Sequence, residues 1–125
     1  MGLAKAEALA QSRGVSIQTC CGDLAAFHPA PQSVDLVVAI WMHLPPPLRA
    51  QALARAVAAL RPGGHLILEA YTPRQLELLC EPEDLRVELA GLELLVLQER
   101  RRWIEEGPYP HGDSAVVQVI GRKLR

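Results

Sequence analysis

The chain reads Leu60-Arg61-Pro62-Gly63-Gly64-His65-Leu66-Ile67-Leu68-Glu69 at the point where a predicted helix ends and a predicted strand begins. The Pro-Gly-Gly turn stops the helical spacing of Leu53, Val57 and Leu60. The apolar run that follows is uninterrupted, as is typical of a parallel strand covered on both faces. This stretch therefore predicts an α/β fold.

Other predicted helices and strands lie on both sides of this stretch. Residues 2–13 have helical spacing and end at Gly14, which suits a left-handed helix cap. Residues 15–20 alternate and are β-branched, and residues 34–41 are almost all apolar, so both predict strands, the second a central one. A helix follows the prolines at 45–47, and a strand covers residues 66–71. Two short helices, 72–79 and 82–90, precede strands at 92–103 and 115–122, which a turn-rich linker joins as an antiparallel hairpin.

Length, composition and charge limit the class of protein. The 125 residues fit a single domain, 1–125, and 50% hydrophobic and 22% charged residues exclude disorder. The net charge of −1 argues against nucleic-acid binding, because the only dense basic cluster is Arg100-Arg101-Arg102. No apolar run approaches the roughly 18 residues of a membrane helix, so we expect a cytoplasmic protein without a membrane partner.

The histidines and cysteines do not have metal-ligand spacing. The histidines are scattered, two cysteines are adjacent and the third is alone. We therefore expect the cysteines to be small buried hydrophobic residues and not metal ligands. We predict no metal site. The histidines are His28, His43, His65 and His111, and the cysteines are Cys20, Cys21 and Cys80.

Three segments together resemble one known family. They are Cys21-Gly22-Asp23-Leu24, Val34-Asp35-Leu36-Val37-Val38-Ala39-Ile40-Trp41 and the opening stretch at 60–69. Their order resembles the later part of class I S-adenosylmethionine-dependent methyltransferases. The resemblance implies a truncated Rossmann-like sheet, mostly parallel, with a C-terminal antiparallel hairpin.

The glycine-rich loop that this family uses to grip its cofactor is missing from the sequence. None of the nine glycines forms a G-x-G, and no acidic residue ends a preceding strand to take the ribose hydroxyls. We expect either a truncated reading frame or a protein that has lost this part. The chain alone should therefore bind S-adenosylmethionine weakly or not at all.

The resemblance assigns cofactor contacts to residues that follow two strands. Asp23 and the backbone of Leu24 would bind the adenine edge, and Ile40 and Trp41 would face the amino-acid end of the cofactor. An alternative for Asp23 is an ordinary Asx turn. His43, just beyond the strand, is placed to orient an acceptor or take its proton as a neutral imidazole. The alternative for His43 is a loop residue bonded to backbone.

The segment after the next strand predicts the acceptor pocket. Glu-Ala-Tyr-Thr-Pro-Arg-Gln at 69–75 resembles small-molecule methyltransferases of the tellurite-resistance type, so Glu69, Tyr71 and Arg74 would bind the acceptor. On physical grounds alone, Glu69 could equally pair with Arg74, and Tyr71 could be half-buried. The sequence does not identify the acceptor.

Two functions follow from these patterns. One is methyl transfer from S-adenosylmethionine to a small-molecule acceptor. The other is a non-catalytic methyltransferase remnant that acts as a dimerisation or protein-binding module. Without the family's first two strands, residues 34–41 would be an exposed hydrophobic sheet edge. We expect a homodimer through this edge, with pairing of residues 15–20 against 34–41 as the alternative.

Overall fold

The computed structural model describes residues 1–72, 81–105 and 112–125. These residues form three helices and four strands in one sheet. The elements are α1 (Gly2–Ser12), β1 (Val34–Ile40), α2 (Pro46–Ala59), β2 (Leu60–Tyr71), α3 (Pro82–Glu88), β3 (Leu92–Ile104) and β4 (Gly112–Lys123). The predicted helix at 72–79 lies outside the described residues except for Thr72.

The four strands lie in the order β1-β2-β4-β3. β1 and β2 are parallel, whereas β4 is antiparallel to both of its neighbours, β2 and β3. Three strands therefore point in one direction and β4 points in the other. This confirms the predicted fold class, a mostly parallel α/β sheet that ends in an antiparallel hairpin.

The Pro-Gly-Gly turn differs in detail from its prediction. β2 begins at Leu60, so the turn lies within the strand instead of before it. Val34 aligns with Leu60 and Leu36 with His65, which leaves three extra residues of β2 in an irregular bulge. Gly63 has a φ of 84°, a conformation that glycine adopts without steric cost. The turn therefore ends α2 and sets the register of β2 against β1.

Residues 15–20 are not a strand, which corrects the sequence prediction. Their alternating β-branched pattern is suitable for a strand, but they pair with none of the four strands of the described sheet. A strand is defined by hydrogen bonds to a second strand, so local propensity alone does not form one. Val15 and Ile17 are consequently exposed.

The two faces of the sheet are covered unequally. Buried residues of α2 and α3 pack on one face, and the core includes Leu53, Leu66, Leu68, Leu85, Leu89, Val117 and Val119. On the other face of β1, Leu36, Val38 and Ile40 are 51%, 57% and 44% exposed. Helix α1 has few contacts with the other described elements, and Ala10 is its one buried residue. The apolar pattern alone predicts a central strand, whereas the family resemblance predicts an exposed edge. β1 is a sheet edge with an exposed apolar face.

Candidate cofactor and acceptor site

Three aromatic rings gather where the parallel strands β1 and β2 end. The Tyr71 ring lies 4.6 Å from the Trp41 ring and 5.4 Å from the His43 ring, measured between centroids, with interplanar angles of 26° and 14°. We call Trp41, His43 and Tyr71 the aromatic cluster. The carboxyl ends of strands are where open α/β sheets bind ligands, so the cluster occupies a favourable position for a site.

The backbone of Trp41 adopts an uncommon conformation. Its φ is 56°, in the left-handed region that bulky residues rarely occupy. The Trp41 N–H donates a hydrogen bond to the Glu69 carbonyl at 3.0 Å, which continues the pairing of β1 with β2 by one residue. This turn directs the chain from the end of β1 back towards β2, where Tyr71 stacks on the indole.

The Glu69 carboxylate is bound by residues of the C-terminal hairpin. Arg102 Nε donates to Oε2 at 3.1 Å and Arg102 Nη2 donates to Oε1, while Gln118 Nε2 donates to Oε2 at 2.6 Å. Gln98 extends this row by donating to Gln118 Oε1 at 2.8 Å. The Arg102 guanidinium carbon also lies 5.6 Å from the centroid of the Trp41 ring. Glu69 therefore pairs with Arg102.

Arg102, Gln98 and Gln118 belong to this candidate site, although the sequence pattern does not predict them. Arg102 belongs to the triplet at 100–102, which the sequence indicates only as a basic cluster. The alternation of side chains along a strand separates Arg102 from Arg101 by placing them on opposite faces. This alternation could have indicated that Arg102 faces away from Arg101. The sequence does not show that its partner is Glu69 on β2. Arg74, the partner considered for Glu69, lies outside the described residues.

His43 is bonded to backbone in this structure. The backbone N–H of His43 donates to the Trp41 carbonyl at 3.0 Å, and the imidazole Nε2 accepts the backbone N–H of Tyr71 at 3.4 Å. An imidazole nitrogen that accepts a hydrogen bond carries a lone pair, so the proton of the neutral ring lies on Nδ1. Partial burial lowers the pKa of His43 from its usual 6.5 and favours this neutral form.

Asp23 forms the Asx turn that the sequence analysis considered as an alternative. Its Oδ1 accepts the Ala25 N–H at 2.9 Å, and its carbonyl accepts the Ala26 N–H at 2.9 Å. Arg55 of α2 holds the turn by donating to the carbonyls of Leu24 and Ala25 at 2.9 and 3.0 Å. This anchor keeps the turn beside β1 although no strand precedes it.

An apolar cleft of about 510 Å³ lies between this turn and the edge of β1. Leu24, Phe27, Val38, Ile40 and Ala56 are among its lining residues. The structure therefore brings Leu24 and Ile40 to one cleft, and brings Trp41, His43, Tyr71 and Glu69 together beside its end. A volume of this size suits a nucleoside-sized ligand. The residues fit such a ligand in part, because they supply apolar walls and the Asp23 turn but no glycine-rich loop.

Within residues 1–72, 81–105 and 112–125, no group of three or more His, Cys, Asp or Glu side chains could hold a metal ion. None of the helices in this described part of the chain is long and apolar enough to cross a membrane.

Solved structures with this fold include proteins of different activity. TehB from Haemophilus influenzae superposes with a TM-score of 0.76 at 14% identity, covering 97% of this chain and 46% of TehB. The N-methyltransferase NodS from Bradyrhizobium japonicum WM9, in complex with S-adenosyl-L-homocysteine, gives 0.72 at 18% identity, covering 100% of this chain and 64% of NodS. The [4+2]-cyclase SpnF gives 0.71 at 19% identity, covering 97% and 62%. At these low identities the superpositions establish the fold alone, and the chain spans about half to two thirds of the length of these proteins.

The family assignment comes from the sequence itself. A comparison with curated protein sequences finds no match. The sequence model of the methyltransferase domain family matches residues 2–64, which is half of the 125 residues. The match includes the Asp23 turn, β1 and α2, and ends within the bulge of β2. The chain therefore belongs to the methyltransferase domain family.

Proposed function

We propose that this chain takes part in S-adenosylmethionine-dependent methyl transfer to a small-molecule acceptor. The observation that supports this proposal is the aromatic cluster at the carboxyl ends of β1 and β2, beside a cleft large enough for a nucleoside. Family membership supports methyl transfer in general. The acceptor class and the residue roles are part of the proposal.

The cofactor contacts lie on the cleft side of β1. When bound, S-adenosylmethionine supplies a methyl carbon that is electrophilic because it is attached to a sulfonium sulfur. Asp23 and the Leu24 backbone would bind the adenine, with the Asx turn fixing the carboxylate in place. Ile40 and Trp41 would border the amino-acid end. These apolar and backbone contacts position the ligand and exclude water from it.

The acceptor contacts lie on the β2 side of the aromatic cluster. His43 Nε2 already accepts the Tyr71 N–H, so the imidazole would orient an acceptor by donating from Nδ1 and would not take its proton at Nε2. An acceptor with a free lone pair needs no base before transfer and releases its proton to water afterwards. Tyr71, Glu69 and Arg74 would form the pocket wall, with Glu69 held by Arg102.

The affinity of the chain for the cofactor should be low. The sequence contains no G-x-G, and each good polar contact that such a loop would make contributes about 1 kcal/mol net. Titration calorimetry with S-adenosyl-L-homocysteine tests this, together with a methyl-transfer assay. Asp23→Ala should weaken binding further, whereas His43→Ala should lower turnover and leave binding unchanged. Equal effects of both changes on binding would contradict these roles.

A second candidate function is a non-catalytic dimerisation or protein-binding module. The observation that favours it is the exposed apolar face of β1, formed by Leu36, Val38 and Ile40. An edge strand of this kind recruits another strand, because unpaired backbone groups and bare apolar faces are unfavourable in water. Absence of cofactor binding together with a stable dimer would favour this function over methyl transfer.

A further inference from the structure

Glu69 holds Trp41 by two separate routes. Its main-chain carbonyl accepts the Trp41 N–H at 3.0 Å. Its carboxylate binds Arg102, whose guanidinium carbon lies 5.6 Å from the centroid of the Trp41 ring. The first route fixes the backbone of Trp41, and the second restricts its side chain.

The conformation of Trp41 requires such support. A left-handed φ in a non-glycine residue costs about 1–3 kcal/mol and persists only where the surroundings hold it. Trp41 has a φ of 56°, and its indole ring lies 4.6 Å from the Tyr71 ring and 5.6 Å from the Arg102 guanidinium carbon. The support comes from outside β1, since Arg102 lies on β3, two strands beyond β2.

The Glu69–Arg102 pair is suited to fixing an orientation. Two guanidinium nitrogens contact two carboxylate oxygens, and the side chains are only 13% and 30% exposed. A planar guanidinium held at two points presents a fixed face to a neighbouring ring, which a lysine ammonium does not. Gln118 on β4 donates to the same carboxylate, and Gln98 on β3 donates to Gln118.

We propose that Arg102 is a positioning residue that sets the orientation of Trp41 at the end of β1. Arg102 acts through Trp41 and does not itself touch the reacting atoms. The inference deepens the proposed function, on which it rests, because Trp41 borders the proposed cofactor position. The C-terminal hairpin β3–β4 thereby contributes Arg102 to the site at the carboxyl ends of β1 and β2.

Tryptophan fluorescence tests this proposal without any ligand. The chain has two tryptophans, so Trp103→Phe leaves Trp41 as the single tryptophan. In that background, Arg102→Met should shift the emission of Trp41 to longer wavelength and increase its quenching by acrylamide. Arg101→Met is the matched control, because Arg101 lies next to Arg102 but pairs with the exposed Asp113. It should leave the emission and quenching unchanged.

Arg102→Lys separates orientation from charge. Lysine keeps the positive charge near Glu69 but lacks a planar guanidinium that binds the carboxylate at two points. We therefore expect Arg102→Lys to shift the emission as Arg102→Met does. Retention of the parental emission by Arg102→Lys would overturn the proposal. So would unchanged emission in a folded Arg102→Met protein, with folding checked by circular dichroism.

A further variant covers the case in which Arg102→Met does not fold. Glu69→Gln keeps the size of the side chain and leaves the main-chain carbonyl of residue 69 in place to accept the Trp41 N–H. It removes the negative charge that holds Arg102. It should shift the Trp41 emission, and an unchanged spectrum would contradict the proposal. The methyl-transfer assay then separates the two ideas: absence of methyl transfer by the parent protein counts against the proposed function, whereas the fluorescence result decides the role of Arg102.

Discussion

Arg49 of α2 and Glu88 of α3 form a buried ion pair that joins the two helices on the covered face of the sheet. Arg49 Nε and Nη2 donate to the two Glu88 carboxylate oxygens at 2.9 and 3.0 Å. The Arg49 side chain is 1% exposed and that of Glu88 is 11% exposed. Because the two residues are 39 positions apart in sequence, the contact exists only in the folded chain.

Removal of one member of this pair should strongly destabilise the protein. Arg49→Ala leaves the Glu88 carboxylate buried without its charge partner, and loss of one partner from a buried pair typically costs about 3–5 kcal/mol. Denaturant unfolding monitored by circular dichroism measures the effect. Arg61→Ala is the control, because its pair with Asp35 is largely exposed and should contribute about 0–1 kcal/mol. Equal losses from both variants would contradict this prediction.

Gly64 should not tolerate a side chain. A Cβ at this position would lie 2.9 Å from the Arg61 carbonyl oxygen and 3.0 Å from the Asp35 carbonyl oxygen. Both are backbone atoms, so Gly64→Ala requires a shift between β1 and β2 and should lower the free energy of unfolding by about 1–3 kcal/mol. Gly22→Ala is the control, since a Cβ there meets nothing within 4 Å. A neutral Gly64→Ala would show that the bulge can move freely.

Stability should fall in mildly acidic solution because of His43. Partial burial lowers the pKa of His43 in the folded chain below its usual 6.5. Below that usual pKa, the unfolded state therefore binds a proton more readily than the folded state. The free energy of unfolding should decrease as the pH falls from 6.5 until the lowered pKa is passed. Denaturant unfolding at a series of pH values measures this, and NMR titration of the imidazole gives its pKa.

His43→Gln is the control for this pH dependence. Glutamine has no titratable group, so the part of the pH dependence that belongs to His43 should disappear in the variant. A stability profile that has the same slope in both proteins between pH 6.5 and the lowered pKa would rule out His43 as the cause.

A homodimer through β1 should be sensitive to a charge on its exposed face. Val38 lies in the middle of β1 with its side chain exposed, so Val38→Lys should be tolerated in the monomer but should disrupt a dimer that buries this face. Val87→Lys on α3 introduces the same charge at an exposed apolar position away from β1 and is the control. Light scattering coupled to size exclusion at micromolar concentration measures the mass. A parent protein that is monomeric and exchanges amide hydrogens slowly along residues 34–41 would exclude the dimer.

The sequence by itself determined the elements that form through local contacts. Helix α1 ends before Gly14, whose φ is 67°, and α2 begins with proline in its first turn. These features depend on hydrogen bonds and steric limits within a few residues. The apolar strands, predicted at 34–41 and 66–71 and found at Val34–Ile40 and Leu60–Tyr71, and the hairpin were predictable for the same reason, since side-chain patterning and turn residues are local. The family resemblance rested on these segments.

Only the tertiary structure decided which residues meet across the sheet. Residues 15–20 have a strand-like pattern but remain unpaired with the described sheet, because strand formation depends on a neighbour that sequence patterning does not supply. The pairing of Glu69 with Arg102, 33 residues away, depends on the register of β2 against β4 and of β4 against β3. A shift of one residue in either register would place the side chains on opposite faces. The support of Trp41 by Arg102 is therefore a property of the folded sheet.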